Sequence, residues 1–156
     1  MIKLTRVDHR LVHGQVAFAW TKSLGADCIL VANDAIAKDE LRMAALRMAK
    51  PSGVKLVVKS IDDSAVALNS GVTDKYNLFV LTESIEDVYR LTQKASGINT
   101  VNLGGIKAAD GKRQISMAVF VDERDCELLR KMNAAGVKLE IRMVPDETAQ
   151  DPLKLI

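Results

Sequence analysis

Side chains that can do acid–base or charge chemistry are concentrated at the start of the chain, in the segment RVDHRLVHGQ (6–15). They are Arg6, Asp8, His9, Arg10 and His13, and the two histidines are the only ones in the chain. An imidazole that is neutral near pH 7 has a free nitrogen lone pair and can act as a nucleophile. The segment is therefore a candidate site for nucleophilic chemistry at one of the two imidazoles.

The residues on either side of His13 favour an anion. A helix is predicted to begin directly after His13, and the first amides of a helix have no intrahelical acceptor and point outward. Gly14 would let the backbone approach a bound group closely, and Gln15 adds a neutral donor. Arg10 offers a guanidinium fork to phosphate oxygens, and Arg6 is a weaker second cation.

Phosphoryl transfer depends mainly on positioning and charge stabilisation, which is what such a cluster supplies. We therefore predict that His13 is the catalytic residue and is transiently phosphorylated. Asp8 is predicted to orient an arginine or the imidazole by accepting a hydrogen bond. This chemistry requires no metal ion and no organic cofactor.

Other interpretations of the cluster stay open. His9 and His13 are four residues apart, so in a helix they could chelate zinc for a hydrolase. Against this, Gly14 and the preceding strand end disfavour a helix at 9–13, and no third histidine is available. A nucleotide-binding Rossmann-like domain is a second alternative, although the first loop lacks both GxGxxG and GxxxxGK[ST]. A loop histidine can also be a surface or packing residue only.

Strands and helices that could position this cluster alternate along the whole chain. Apolar runs predict strands at 2–7, 28–32, 54–58, 77–81, 100–103, 115–121 and 137–144, with amphipathic helices between most of them. This alternation predicts an α/β fold, a single doubly wound and mostly parallel sheet with helices on both faces, and one domain over residues 1–156. Ligands of such sheets bind beyond the carboxyl ends of the strands, which is where residues 8–15 would lie.

Local features give further predictions. A helix over 34–50 would carry an inward face, with Asp34 favoured as its N-cap over a role in the site. Gly104 and Gly105 could form a phosphate-facing nest or a tight turn that requires positive φ. The inward face of the helix over 34–50 is predicted to be Ala37, Leu41, Ala44 and Met48. Capping boxes are predicted at Ser60–Asp63 and Ser84–Asp87. Asp122 is predicted to cap a helix whose inward residues are Leu128, Leu129, Met132 and Ala135.

Composition excludes several classes of partner. The net charge of +2 is too close to neutral to indicate a nucleic acid or an anionic membrane. Aromatic residues make up 4% of the chain, too few for a base-stacking platform. Cys28 and Cys126 are predicted to be buried free thiols. No signal segment or membrane-spanning run is visible, so the protein is expected in the cytoplasm.

Four segments of the chain resemble one known protein family. RVDHRLVHGQV, followed by a helix that contains Trp20, resembles the signature of the B component of the mannose/sorbose-type bacterial phosphotransferase system, which imports sugars. VANDAIA (31–37), NLGGI (102–106) and GVKLEIRMVP (136–145) resemble later segments of the same family. The similarity extends over most of the chain.

The resemblance implies a specific role and specific partners. The histidine of the HGQ segment, here His13, would accept a phosphoryl group from a phosphohistidine of the A component. It would pass this group to a sugar at the membrane C and D components, with Arg10 as the matching arginine. His9 stands where the family often has Asp, Asn or Glu, so it inherits no role. The resemblance leans toward N-acetylgalactosamine as the sugar, and a homo-oligomer stays open.

Overall fold

The computed structural model describes residues 1–156 as a sheet flanked by helices, with a separate hairpin at 113–121. The strands are β1 (Ile2–Asp8), β2 (Cys28–Ala32), β3 (Lys55–Lys59), β4 (Leu78–Thr82), β5 (Thr100–Gly105), β6 (Arg113–Ser116), β7 (Val119–Val121) and β8 (Lys138–Ile141). The helices are α1 (Gly14–Leu24), α2 (Glu40–Ala49), α3 (Ile61–Ser70), α4 (Ile85–Lys94) and α5 (Glu123–Ala134). Two short 3₁₀ turns lie at Ile36–Lys38 and Pro152–Lys154.

Six of the strands form one parallel sheet in the order β3-β2-β4-β1-β5-β8. Strands β2 and β4 are uniformly apolar apart from Thr82, and all of their residues are buried, as expected for strands covered on both faces. The predicted fold class is confirmed. Because β1 lies between β4 and β5, the loop that follows it emerges at the middle of the sheet's carboxyl edge.

The sheet separates two apolar cores. Phe79 and Leu81 of β4 face the core under α1 and α2, whereas Leu78 and Val80 face the core under α3, α4 and α5. This alternation follows from the two-residue period of a strand. Cys28 and Cys126 lie buried as free thiols, as predicted.

The caps predicted at Ser60, Ser84 and Asp122 are present. Ser60 and Ser84 each accept a hydrogen bond from the backbone N–H three residues later, but the reciprocal bond of a capping box is absent from both. The complete box belongs to Asp122, whose side chain accepts from the Asp125 amide while the Asp125 carboxylate accepts from the Asp122 amide. No helix in the structure combines the length and apolar character needed to cross a bilayer.

The predicted inward face of the second helix is wrong. Leu41 and Met48 are 82% and 89% exposed. A 3₁₀ turn interrupts the segment, Asp39 caps α2, and the helix packs through Leu46 with help from Met43 and Ala49. The spacing of the apolar residues assumed one uninterrupted helix from residue 34, and the interruption changes which side faces the sheet.

Asp34 does not cap α2. Its carboxylate accepts the backbone N–H of Ile61 at 2.9 Å, at the first residue of α3, and pairs with Arg90 at 2.9 Å. The residue thus joins three segments that are distant in sequence, which no local pattern could indicate.

The last part of the chain departs from the predicted strands in three places. Residues 115–121 do not form one strand, because a turn at 117–118 folds β6 and β7 into an antiparallel hairpin. Strand β8 ends at Ile141 rather than Val144. Ala135 is exposed, because the helix ends before it, whereas the other three predicted inward residues of α5 are buried.

Candidate functional site

The loop between β1 and α1 is fixed from below by two apolar side chains. Leu11 and Val12 are buried in the core under α1 and α2. Leu11 has φ of +57°, the one non-glycine residue with positive φ in the chain. Such a conformation costs on the order of 1–3 kcal/mol and persists only where the surroundings impose it. The anchored loop leaves His9, Arg10 and His13 at the surface.

His13 is held by Asp8. The Nε2 atom of His13 lies 3.0 Å from Oδ2 of Asp8, the last residue of β1. Asp8 is fully buried, whereas the His13 side chain is 22% exposed. A carboxylate can only accept, so Nε2 carries the ring proton. The Nδ1 atom then has the free lone pair and makes no hydrogen bond within the chain.

Asp8 is surrounded by donors. Its Oδ1 accepts the Arg10 amide at 3.0 Å and Arg10 Nε at 3.4 Å, and its Oδ2 accepts Arg6 Nη2 at 3.2 Å. Burial raises the pKa of Asp8, but the hydrogen bonds from His13 and the Arg10 amide, with the Arg6 charge, outweigh burial and leave the pKa lowered. The carboxylate is therefore ionised whenever the protein is near neutral pH.

The structure brings the predicted anion-binding groups together around His13. The Arg10 side chain is half exposed and bonds to the same carboxylate as His13. His13 occupies the N-cap position of α1, so Gly14 and Gln15 provide the first amides of the helix, and both are exposed. Gly14 has φ of +41°, a conformation that suits glycine.

Arg6 cannot take the direct phosphate contact predicted for it. Its side chain is 1% exposed. Its two Nη atoms donate to Asn102 Oδ1 (2.7 Å), the carbonyls of Arg142 (2.9 Å) and Met143 (3.0 Å), and Asp8 (3.2 Å). The prediction of Arg6 as a second phosphate-binding cation is wrong, because Arg6 is buried with its guanidinium 5.1 Å from the centroid of the Trp20 ring.

Reasoning from sequence did not predict that Arg6 belongs to a polar cluster beneath the site, and it missed the other two members, Asn102 and Glu140. Arg6, Asn102 and Glu140 lie side by side on the adjacent strands β1, β5 and β8, and Asn102 Nδ2 donates to Glu140 at 3.3 Å. A buried asparagine in the otherwise apolar TVNL strand was the available signal. Neither Gly104 nor Gly105 has positive φ or forms a tight turn, since both belong to β5.

His9 lies on the exposed side of the loop, beside other positive groups. Its amide donates to the Gly105 carbonyl at 2.9 Å. Burial lowers the pKa of His9, and the charges of Arg10 and Lys107 lower it further against the opposing charge of Asp8. Residues 9–13 form turns and bends, so the helix that the zinc interpretation needs is absent.

Comparisons with known proteins agree on one family. Residues 2–156 match the family described as the PTS system sorbose subfamily IIB component. The mannose-specific EIIAB component of Escherichia coli is 36% identical over 156 residues, which are 100% of this chain and 48% of that protein.

Two solved structures are similar as well. The IIBSor domain of the Klebsiella pneumoniae sorbose permease has a TM-score of 0.94 and 33% identity, covering 99% of this chain and 94% of that one. The N-acetylgalactosamine-specific IIB component 1 of E. coli has a TM-score of 0.92 and 29% identity, covering 97% and 99%. The family match over nearly the whole chain, on this fold, shows that the protein belongs to the sorbose subfamily of IIB components, phosphoryl carriers of the sugar phosphotransferase system.

Proposed function

We propose that His13 carries the phosphoryl group, on its Nδ1 atom. The observation that carries this proposal is the 3.0 Å contact between His13 Nε2 and Asp8, which leaves Nδ1 as the free nucleophile. The exposed guanidinium of Arg10 and the first amides of α1, at Gly14 and Gln15, would stabilise the phosphate oxygens.

The proposed transfer is a simple displacement at phosphorus. The Nδ1 lone pair forms a bond to the phosphorus of a phosphohistidine on the A component, while the donor's P–N bond breaks and its electron pair returns to the donor ring. The His13 ring then holds both the phosphoryl group and the Nε2 proton, and so gains positive charge. The ionised Asp8 faces that charge and stabilises it. In the second step a sugar hydroxyl oxygen bonds to the phosphorus and gives its proton to a base of the acceptor site or to solvent, while the His13 N–P bond breaks and its electron pair returns to Nδ1.

The proposed partners follow from these two steps. The donor is the phosphorylated A component; in the E. coli mannose relative the EIIA and EIIB parts share one chain, as its name states. The acceptor is a sugar held by the membrane C and D components, so we place the protein in the cytoplasm, peripherally associated with that complex and acting as one domain over residues 1–156. The relatives are named for fructose, sorbose, mannose and N-acetylgalactosamine. N-acetylgalactosamine stays a proposal for this chain.

Phosphorylation on Nδ1 can be tested directly. The protein labelled with ¹⁵N histidine would be phosphorylated with phosphoenolpyruvate, the general phosphotransferase proteins and the cognate A component. We expect ³¹P–¹⁵N coupling at His13 Nδ1, because Nε2 stays hydrogen-bonded to Asp8. The free protein should already show the Nε2–H tautomer of His13. Coupling at Nε2, or label on His9, would contradict the proposal.

The surface around His13 predicts a salt-sensitive encounter with the A component. With Arg6 buried, the exposed positive groups are Arg10 and Lys107, and they should attract an acidic partner surface at long range. We expect the second-order transfer rate to fall as ionic strength rises, because the Debye length shrinks to about 8 Å near 0.15 M salt. Lys107→Gln should flatten this dependence, whereas Lys138→Gln, at the amino edge of the sheet, should not. A salt-independent rate would show that charge does not guide the encounter.

A further inference from the structure

We propose that Arg6 is a positioning residue for the phosphorylation site. We also propose that residue 104 is glycine because a side chain there would occupy the space of the Arg6 guanidinium. The inference rests on the proposed role of His13. In this view Arg6 acts through Asp8: it is the buried counter-charge that fixes the orientation and ionisation of the carboxylate, which in turn fixes the His13 tautomer.

The guanidinium of Arg6 is held from several directions. Asn102 Oδ1 and the carbonyl oxygens of Arg142 and Met143 accept three of its bonds, so that the fourth is directed at Asp8 Oδ2. These partners come from β5 and from the segment after β8, 96 to 137 residues away in sequence. With its Nη atoms fully engaged, the group has one orientation available, and that orientation includes the bond to Asp8.

The absent side chain of residue 104 makes this placement possible. A Cβ atom on Gly104 would lie 1.9 Å from Arg6 Cζ and 2.1 and 2.2 Å from its two Nη atoms. Gly104 sits within β5 with ordinary negative φ, so its backbone does not require glycine. The physical reason for glycine here is the space that the guanidinium occupies.

Trp20 packs against the same guanidinium. The Arg6 guanidinium lies 5.1 Å from the centroid of the Trp20 ring, and the Arg142 guanidinium lies at the same distance. The indole N–H donates to the Met143 carbonyl at 3.0 Å, which is also an acceptor for Arg6. A buried arginine on an aromatic face, with its donors satisfied, is a rigid support.

The consequence for the site is electrostatic as well as geometric. The charged or titratable groups near Asp8 are Arg6, His9, Arg10 and His13. On β5 its neighbour is Gly105, and Glu140 of β8 interacts with Arg6. Without Arg6 the carboxylate would lose its buried positive neighbour, and burial would raise its pKa. A protonated Asp8 no longer requires the proton of His13 on Nε2 and no longer stabilises the phosphorylated ring.

A double-mutant cycle tests the pairing of Arg6 with Gly104. Arg6→Leu removes the guanidinium but keeps an apolar contact with Trp20, and Gly104→Ala introduces the clashing methyl group. We expect each single change to slow transfer from the A component by about 10- to 100-fold, the usual cost of losing a partner that orients a functional group. In the Arg6→Leu background, Gly104→Ala should change the rate by less than about 2-fold, because the space is then free. If Gly104→Ala slowed transfer by the same factor in the wild type and in Arg6→Leu, the proposal that Gly104 makes space for Arg6 would be wrong.

Two further readouts separate positioning from a general loss of structure. In Gly104→Ala and Arg6→Leu the acid limb of the pH–rate profile should move to higher pH, because the pKa of Asp8 rises; a damaged fold would lower the rate equally at every pH. Nitrogen NMR of the unphosphorylated proteins should show a mixture of His13 tautomers in place of Nε2–H. Arg6→Lys should not restore the wild-type rate or the Nε2–H tautomer of His13, because an ammonium cannot span the four acceptors. An unchanged profile and tautomer in folded variants would refute the role of Arg6, and this NMR measurement stays valid even if His13 is not the phosphorylated residue.

Discussion

Replacement of His13 by alanine is expected to abolish phosphorylation of the protein. The wild type, incubated with phosphoenolpyruvate, the general phosphotransferase proteins and the A component, should acquire one phosphate that is labile in acid and stable in base. His13→Ala removes the nucleophilic Nδ1, and no other imidazole in the chain is held by a carboxylate at hydrogen-bond distance. Phosphate incorporation, followed by mass spectrometry of the intact protein, measures the effect.

The matched control is His9→Ala, which removes the other imidazole, four residues away. His9 is held through its backbone amide and not through its ring, and it lies near the charges of Arg10 and Lys107. Most of the wild-type phosphorylation should therefore remain. Loss of phosphorylation in His9→Ala with retention in His13→Ala would reverse the assignment.

Replacement of Asp8 by asparagine is expected to have the second largest effect, on both rate and stability. An amide can donate as well as accept, so it no longer fixes the proton of His13 on Nε2, and it carries no charge to face the phosphorylated ring. A carboxylate-to-amide change beside a catalytic histidine can cost up to about 10⁴-fold in rate. We expect phosphoryl transfer to slow by about 10²- to 10⁴-fold, measured by rapid quench with the phosphorylated A component.

Stability of the same variant should fall because Arg6 loses its buried counter-charge. Removing one partner of a buried ion pair costs about 3–5 kcal/mol of unfolding free energy at neutral pH. The pKa of Asp8 is lower in the folded state than in the unfolded chain, so its contribution to stability is fully present above about pH 4 and is lost as the pH falls through the folded value. Urea unfolding at several pH values should show the difference between wild type and Asp8→Asn narrowing toward low pH.

Asp34→Asn is the control for the rate measurement. Asp34 also lies at the carboxyl edge of the sheet and also pairs with an arginine, but it is half exposed and bonds to Ile61 and Arg90, with no bond to His13. Its replacement should leave the transfer rate nearly unchanged. A similar loss of rate in Asp34→Asn would show that any carboxylate at this edge matters and would remove the special role of Asp8.

The alternation of strands and helices was available from sequence because its signals are local. The apolar runs of β2 and β4, the serines before α3 and α4 and the aspartate before α5 each act within a few residues. The position of His13 at the start of α1, next to the end of β1, follows from the same local order. Where the local signal was mixed, as in residues 34–50 and 115–121, the prediction was wrong about the exposed face or the number of strands.

The support beneath the site was decided by tertiary structure. Arg6 and Arg10 look alike in the sequence, yet one is buried and the other is half exposed, because strand register places Asn102 beside Arg6. The need for glycine at position 104 arises only in the folded protein, where the Arg6 guanidinium occupies the space that a side chain would fill. Sequence by itself thus determined which imidazole stands at a helix start on the sheet edge, since that depends on neighbours in the chain. Tertiary contacts between residues about 100 or more positions apart decided that Arg6 is buried against Asp8 and that Arg10 is left free to meet a phosphate. Local periodicity carries no information about such distant contacts.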